Sequence, residues 1–295
     1  MNSICILLTD HESINESLII KSKKKLILSK LKKIYFIGDA KNFNKIYLFH
    51  KKYQKKFEFI RIELKKKNYF QYLEKITKEG INLFKKKKIK YLINMPLNKK
   101  KYLNNRYFGF TEFYSKKIDN KNNENMLLFN NNFSVCPLTT HIQIKDVDKK
   151  ITHYKIKIAL NNIINFYKKI IKKKINIIVL GLNPHAGKDF NNNSKDKKIE
   201  KLIFSKFANK NNIKGPISAD TAFTDTSNKV FLGMYHDQVL IPFKMKNRFN
   251  GINITIGKKF YRLSPDHGTA SKLKNNKKKI NNQSLIECIK FCEKY

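Results

Sequence analysis

Residues 175–187 read Ile-Asn-Ile-Ile-Val-Leu-Gly-Leu-Asn-Pro-His-Ala-Gly. The run Ile175–Leu180 has the length and apolarity of a buried strand, and a Gly, Asn and Pro cluster closes it. On either side, Tyr154–Lys173 and Lys197–Asn209 repeat apolar residues at helical spacing, which predicts helix, strand, helix in succession. Working outward, the same alternation recurs. Strands are expected at Ile4–Leu8, Ile34–Ile37, Phe57–Ile62, Tyr91–Asn94, Met126–Phe129, Ser134–Pro137, Val230–Met234 and Ile252–Ile256, and further helices at Tyr72–Lys86 and Ser284–Glu293. Such alternation argues for an α/β protein with a mainly parallel sheet. The polar stretches Asp119–Asn125, Asn191–Lys198 and Lys272–Asn282 read as solvated loops. No repeat, G-x-G-x-x-G or P-loop is present.

Composition narrows the function classes. A chain of 295 residues buries one large core or two modest ones. No run approaches the ~20 uninterrupted apolar residues of a membrane helix. The opening MNSICILLTDHESINE lacks a basic n-region and meets Asp10 and Glu12 too early for a signal peptide. A cytoplasmic protein with no membrane partner is expected. The net charge of +41 suggests nucleic acid at first sight. Yet of 63 basic residues only Arg61, Arg106, Arg248 and Arg262 are arginine, the usual side chain for bidentate base and phosphate recognition. Lysine is spread through the whole chain beside much Asn, Ile, Phe and Tyr, the signature of A/T-rich codons. No nucleic acid is expected; a basic polyanion-binding protein is the alternative of a different class. Cys5, Cys136, Cys288 and Cys292 form no C-x-x-C pair and read as reduced thiols.

Three histidines stand just beyond predicted strands, in Thr139-Thr140-His141, Asn183-Pro184-His185 and Met234-Tyr235-His236-Asp237-Gln238. Carboxyl ends of strands are where open α/β sheets bind ligands. Neutral imidazoles meeting there suit a divalent metal with an open position; the alternative is three unrelated loop histidines. Lys244, Asn253 and Arg262, spaced nine residues apart around the strand Ile252–Ile256, offer cationic and amide donors to an anion, although any one lysine here also reads as surface solvation. Asp266-His267-Gly268-Thr269-Ala270 is a compact polar turn whose glycine permits close approach of a ligand. Asp220, within Gly215–Thr221, is either functional or a helix cap. Met95-Pro96-Leu97-Asn98-Lys99 is an anion-contacting loop or a plain strand-to-helix turn.

Taken in order, Pro-Leu-Asn-Lys (96–99), Thr-Thr-His-Ile-Gln-Ile-Lys-Asp-Val (139–147), Gly-Leu-Asn-Pro-His-Ala-Gly (181–187), Gly-Pro-Ile-Ser-Ala-Asp-Thr (215–221), Met-Tyr-His-Asp-Gln (234–238), Asn-Ile-Thr-Ile-Gly (253–257) and Asp-His-Gly-Thr-Ala (266–270) resemble the 4-hydroxythreonine-4-phosphate dehydrogenase family. The resemblance is clear over about two thirds of the chain and loose over the first 90 residues. It implies a two-domain fold like the isocitrate and isopropylmalate dehydrogenases, with the active site in the interdomain cleft and a homodimer as the working form. It places one divalent metal (zinc, cobalt, magnesium or manganese) on His141, His185 and His236. A phosphorylated small substrate falls on Thr111, Lys244, Asn253 and Arg262, and NAD on His267, Gly268, Thr269 and Ala270. Residues 1–110 with 252–295 are expected to form one domain, and 111–251 a second that carries the metal histidines and the dimer contacts. The implied reaction is NAD-dependent oxidation of 4-phosphooxy-L-threonine followed by loss of carbon dioxide, on the route to pyridoxal phosphate. Asp220, Asp237 and a metal-bound hydroxide remain candidates for the general base.

Three departures bear on this reading. Where the family has Gly-Asp-Pro-x-Gly-Ile-Gly, this chain has Thr9-Asp10-His11-Glu12-Ser13-Ile14-Asn15, and a loop needing positive backbone angles would be strained by those residues. Phe110 replaces a histidine that contacts substrate in the family, a loss on the order of 1–3 kcal/mol if a polar partner is left unpaired. After His185, Lys188-Asp189-Phe190 and a run of asparagines replace Gly-Gly-His. These leave room for a related substrate, a threonate or erythronate phosphate, or for weakened activity.

Overall fold

The computed structural model describes residues 1–107, 109–118, 121, 123–189, 194–207, 212–274 and 276–295. Its strands are β1 (Ile4–Leu7), β2 (Ile34–Gly38), β3 (Phe57–Arg61), β4 (Tyr91–Asn94), β5 (Asn125–Phe129), β6 (Phe133–Thr139), β7 (Asn176–Leu180), β8 (Ile213–Ile217), β9 (Lys229–Tyr235), β10 (Ile252–Ile256) and β11 (Tyr261–Pro265). The chain divides into two compact units, Met1–Asn122 with Phe249–Tyr295, and Asn123–Arg248. The helix Phe110–Ile118 packs Phe110, Phe113 and Tyr114 into the first unit's core, so that unit extends beyond the 1–110 expected from sequence.

In the first unit the strands lie in the order β3-β2-β1-β4-β11-β10, parallel except for β10, which runs antiparallel to β11. The helix Tyr69–Lys85 covers one face. Asn68 caps it by accepting from the Gln71 amide, and Tyr72, Leu73, Ile76, Ile81 and Phe84 go into a core shared with Cys5, Leu7 and Leu92. In the second unit the order is β5-β6-β9-β7-β8, parallel except for β5. Val135, Ile178, Leu180, Phe231 and Phe243 form its core. All nine expected strands are present, because buried parallel strands read as uninterrupted apolar runs. Two were missed. β8 contains Gly215-Pro216, a turn signal, and there the Gly215 Cα approaches β7 so closely that a Cβ would stand 2.3 Å from the Val179 carbonyl oxygen. β11 carries Arg262 and Ser264, both buried, in a stretch of only five residues.

The four expected helices also appear, at Tyr69–Lys85, His153–Phe166, Lys195–Phe207 and Gln283–Lys294; positions 208 and 209 of the third lie outside the described residues. Of the expected loops, positions 119, 120, 122, 191–193 and 275 lie outside them too. Among the described residues no helix is long and apolar enough to cross a membrane. The four cysteines are buried and free, and burial pushes the Cys136 thiol up to about 12, so none is poised as a nucleophile.

One buried hydroxyl ties the carboxyl ends of β1 and β2 together. Tyr72 donates to the Leu8 carbonyl at 2.6 Å and accepts from the Asp39 amide at 3.1 Å. Tyr72→Phe would strand both backbone groups, so a loss of about 1–3 kcal/mol is expected in urea-unfolding midpoints. An unchanged midpoint would show that the hydroxyl carries no net stability.

Candidate active site

Parallel pairing sets the carboxyl ends of β6, β9 and β7 side by side, and each is followed by one of the histidines. Side-chain staples hold these three ends. The Thr139 hydroxyl donates to the Met234 carbonyl at 2.7 Å. Gln238 accepts from the Met234 amide and donates to the Gly181 carbonyl, each at 2.7 Å, joining the end of β9 to the turn after β7. That turn is organised by the buried Asp196, which accepts from the Leu182 amide at 2.6 Å and from the Asn183 side chain at 2.7 Å. Gly187, at φ 71°, packs so tightly on Asp196 that a Cβ would sit 2.7 Å from it.

The His141 and His236 rings come to 5.7 Å between centroids, a separation that suits two ligands of one cation. His236 Nδ1 faces the Asp237 carboxylate at 2.6 Å, and His185 Nδ1 faces Asp189 at 2.5 Å. A carboxylate on Nδ1 fixes a ring's tautomer and turns Nε2 outward, the usual support of a metal-ligating histidine. The Asp189 contact also raises the pKa of His185. The donor chemistry therefore fits a divalent metal. Among the described residues, however, no three His, Cys, Asp or Glu side chains are gathered closely enough to hold one, and His185 is the member not brought in. Phe190 and the asparagines beyond it lie outside the described residues.

Of the two candidate bases, Asp237 is engaged with His236, whereas Asp220 is exposed in the first turn of a short helix. A hydrogen bond from Ser218 lowers the Asp220 pKa most, aided by the Thr221 amide and the charge of His185. Lys244 is exposed at the far end of the helix His236–Asn247, eight residues and about 12 Å along the axis from His236.

The first unit assembles a different group. Arg262, only 3% exposed, directs Nε at the Asn94 side-chain oxygen and Nη1 at the hydroxyls of Thr111 and Thr255, each at 3.3 Å. Its guanidinium carbon lies 5.1 Å from the centre of the Phe110 ring, in cation–π range. Burial lowers its pKa to about 10, so it stays charged at neutral pH. Among the described residues no carboxylate hydrogen bonds to it or pairs with it; Glu112 acts on it only through its field. A buried charge whose hydrogen-bond partners are neutral is costly, and an anion brought to it would offset part of that cost. Asn253 leaves the same face of β10 as Thr255, and its side-chain oxygen is buried without a hydrogen-bond partner among the described residues. Asn94 and Thr255 were not anticipated, since one ends an apolar run and the other reads as an ordinary strand former.

The loop after β1 is not strained as expected. None of residues 9–15 has a positive φ. Asp10 accepts from the amides of Glu12 and Asn98, both at 3.0 Å, and the Asn15 side chain donates to the carbonyls of Asp10 (3.1 Å) and Pro96 (2.8 Å). Side-chain bonds replace glycine geometry. The Ile14 amide donates to the Thr269 carbonyl at 3.2 Å, and Lys274 to the His11 carbonyl at 3.0 Å, which seat the segment His267–Ala270 against this loop. Ala270 takes a left-handed φ of 45°, and no atom lies within 4 Å of where a Gly268 Cβ would point.

Strand order and parallel pairing define a mixed α/β protein built of two compact units. A β-decarboxylating dehydrogenase from Thermococcus kodakarensis shares the fold, with a TM-score of 0.53 at 9% identity over 92% of this chain and 77% of that one. The model of the pyridoxal phosphate biosynthetic protein PdxA matches residues 5–292, and the chain belongs to that family. A 4-hydroxythreonine-4-phosphate dehydrogenase from Hydrogenobaculum sp. is 39% identical over 202 residues, 68% of this chain and 62% of the relative. The matched region thus spans about three fifths of the length of such curated relatives. The crystal structure of a 4-hydroxythreonine-4-phosphate dehydrogenase from Klebsiella pneumoniae has the same fold, with a TM-score of 0.80 at 22% identity over 99% of this chain and 97% of that one.

Asp196→Ala would leave the half-buried Leu182 and Asn183 amides in the His185 turn without that acceptor. Stability should fall by about 1–3 kcal/mol, read as a lowered midpoint in chemical unfolding followed by circular dichroism. Unfolding indistinguishable from wild type would remove Asp196 from this role.

Proposed function

We propose that this protein is an NAD-dependent dehydrogenase of 4-phosphooxy-L-threonine in pyridoxal phosphate biosynthesis. The observation that carries the reading is the buried Arg262, whose hydrogen-bond partners are all neutral, in a chain of this family, since a phosphorylated substrate would bring an anion to it. Thr111, bonded to Arg262, and Asn253, two residues before Thr255 on β10, are the polar contacts assigned to substrate, and Lys244 is the further cation assigned to it. Oxidation removes a hydride from C3 of the substrate and a proton from its hydroxyl; the bond to the carboxylate carbon then breaks and carbon dioxide leaves. The segment His267–Ala270 would hold NAD, which would supply the hydride acceptor. His141 and His236, with His185 drawn in, would hold a divalent metal, which would supply Lewis acidity toward the substrate hydroxyl. The chain's own residues orient these parts. Asp237 and Asp189 fix the rings of His236 and His185, and Asp220, held ionised, is positioned for proton transfer near His185.

Phe110 favours a second reading, a dehydrogenase of a threonate or erythronate phosphate, because it offers no hydrogen bond where the family uses histidine. It also lies 6% exposed against Phe113 and Tyr114, so its apolarity is accommodated. NADH formation should be measured with each of these phosphates, with added zinc, cobalt, magnesium or manganese and with chelator. Metal-dependent turnover of 4-phosphooxy-L-threonine, reduced at least about a hundredfold by His236→Ala, is expected. Turnover of only the sugar-acid phosphates would move the protein to the second reading, and turnover of none would sink both.

The working form in this reading is a cytoplasmic homodimer, with the second unit contributing contacts. Ile241 and Met245 support it, being exposed one turn apart on the helix His236–Asn247. In sedimentation velocity, Met245→Glu should shift a dimer toward monomer; an unchanged dimer would place the interface elsewhere.

A further inference from the structure

We propose that Asn94 is a specificity-determining positioning residue, a neutral clamp that holds the Arg262 guanidinium in place without neutralising it. The inference deepens the reading of Arg262 as the anion receptor and rests on it.

A guanidinium carries five N–H donors in one plane. Asn94 takes the Nε donor, and the hydroxyls of Thr111 and Thr255 share Nη1. Among the described residues nothing bonds to Nη2, which leaves that edge for an anion. Nε is already engaged, so the common two-point mode through Nε and Nη2 is closed. A phosphate oxygen is received at Nη2 instead, beside Thr111, whose hydroxyl accepts from Arg262 and keeps its own proton to donate.

The orientation of Asn94 is itself fixed. Its amide nitrogen donates to the Met95 carbonyl at 3.2 Å, which turns its oxygen toward Arg262. Phe110 covers one face of the guanidinium and limits its tilt. Aspartate at position 94 would still present an acceptor to Nε, while giving up the donation to the Met95 carbonyl, which keeps the Thr9 hydroxyl as a donor. In a buried pocket its charge would also satisfy Arg262 and compete with any incoming anion. Asparagine therefore separates holding the guanidinium from neutralising it. Stability and affinity should consequently move in opposite directions on Asn94→Asp.

The test is inorganic phosphate binding by titration calorimetry, together with thermal unfolding, on the full-length protein and on Asn94→Asp and Asn94→Leu. Wild type should bind phosphate. Asn94→Asp should unfold at the same or a higher temperature yet bind phosphate at least about tenfold more weakly. Asn94→Leu, which strands Nε, should lose both stability and affinity. In turnover, Asn94→Asp should raise KM for the phosphorylated substrate while KM for NAD stays level. Phosphate binding by Asn94→Asp equal to wild type would overturn the inference, as would a wild type that binds no phosphate. The binding arm does not depend on catalysis. A wild type that binds phosphate but turns over none of the candidate substrates would defeat the proposed function and leave the clamp standing.

Discussion

Parallel pairing within each unit's sheet is the constraint on which the site depends. Parallel strands point their carboxyl ends at one edge, so the turns leaving neighbouring strands become neighbours however far apart they lie in sequence. That is how His141 and His236, 95 positions apart, come to 5.7 Å between ring centroids. It is also how the loops after β1, β4 and β11 share one edge of the first unit, where Asp10 and Asn15 bind the loop after β4 and Ile14 binds the segment after β11. The apolar runs that specify the strands therefore do more than build cores. They decide which polar turns meet.

A second constraint is electrostatic. The chain carries a net charge of +41, and most of its cations are lysines on long, solvated stems. Arg262 differs in being buried and in having only neutral hydrogen-bond partners. A surface lysine is screened by water and salt, and its interaction with a passing anion is small. A buried guanidinium meets an anion in a poorly screened medium with its orientation already set. On the proposed reading, selectivity for a phosphorylated ligand would come from one desolvated charge, and the abundance of basic residues would contribute little to it.

The strands were legible because a buried parallel strand must be apolar on both faces, and compositional drift toward Ile, Leu and Phe leaves that signal intact. Several helices were not. Asn15–Lys21, Asn44–Lys52 and Phe110–Ile118 carry lysine, asparagine or aromatic residues that blur the apolar stripe, and His236–Asn247 contains Pro242, ordinarily a breaker. Within the site, the polar residues at strand ends were legible by type and position. The partners that orient them were not: Asn94, Thr255, Asp189 and Asp196 have no local pattern, because their roles arise from tertiary neighbours. The expected first domain stopped at residue 110, whereas the rest of the helix Phe110–Ile118 belongs to the same unit, because Phe113 and Tyr114 declare their side only through the core they enter.

The loop after β1 makes the wider point about divergence. Glycines are usually kept where a backbone needs positive φ, and their loss here suggested strain. The chain instead takes ordinary backbone angles throughout residues 9–15 and closes the loop with side-chain bonds from Asp10, Ser13 and Asn15. Phe110 follows the same logic. Where a polar contact was lost, the ring settles against Phe113 and Tyr114 and covers the guanidinium face. Both changes exchange one means of fixing geometry for another and leave Arg262 with neutral hydrogen-bond partners only. A chain drifting without function has no reason to preserve a costly buried cation, because replacing it with an apolar residue would relieve the desolvation penalty. On the proposed reading, an anion bound at Arg262 would offset that penalty.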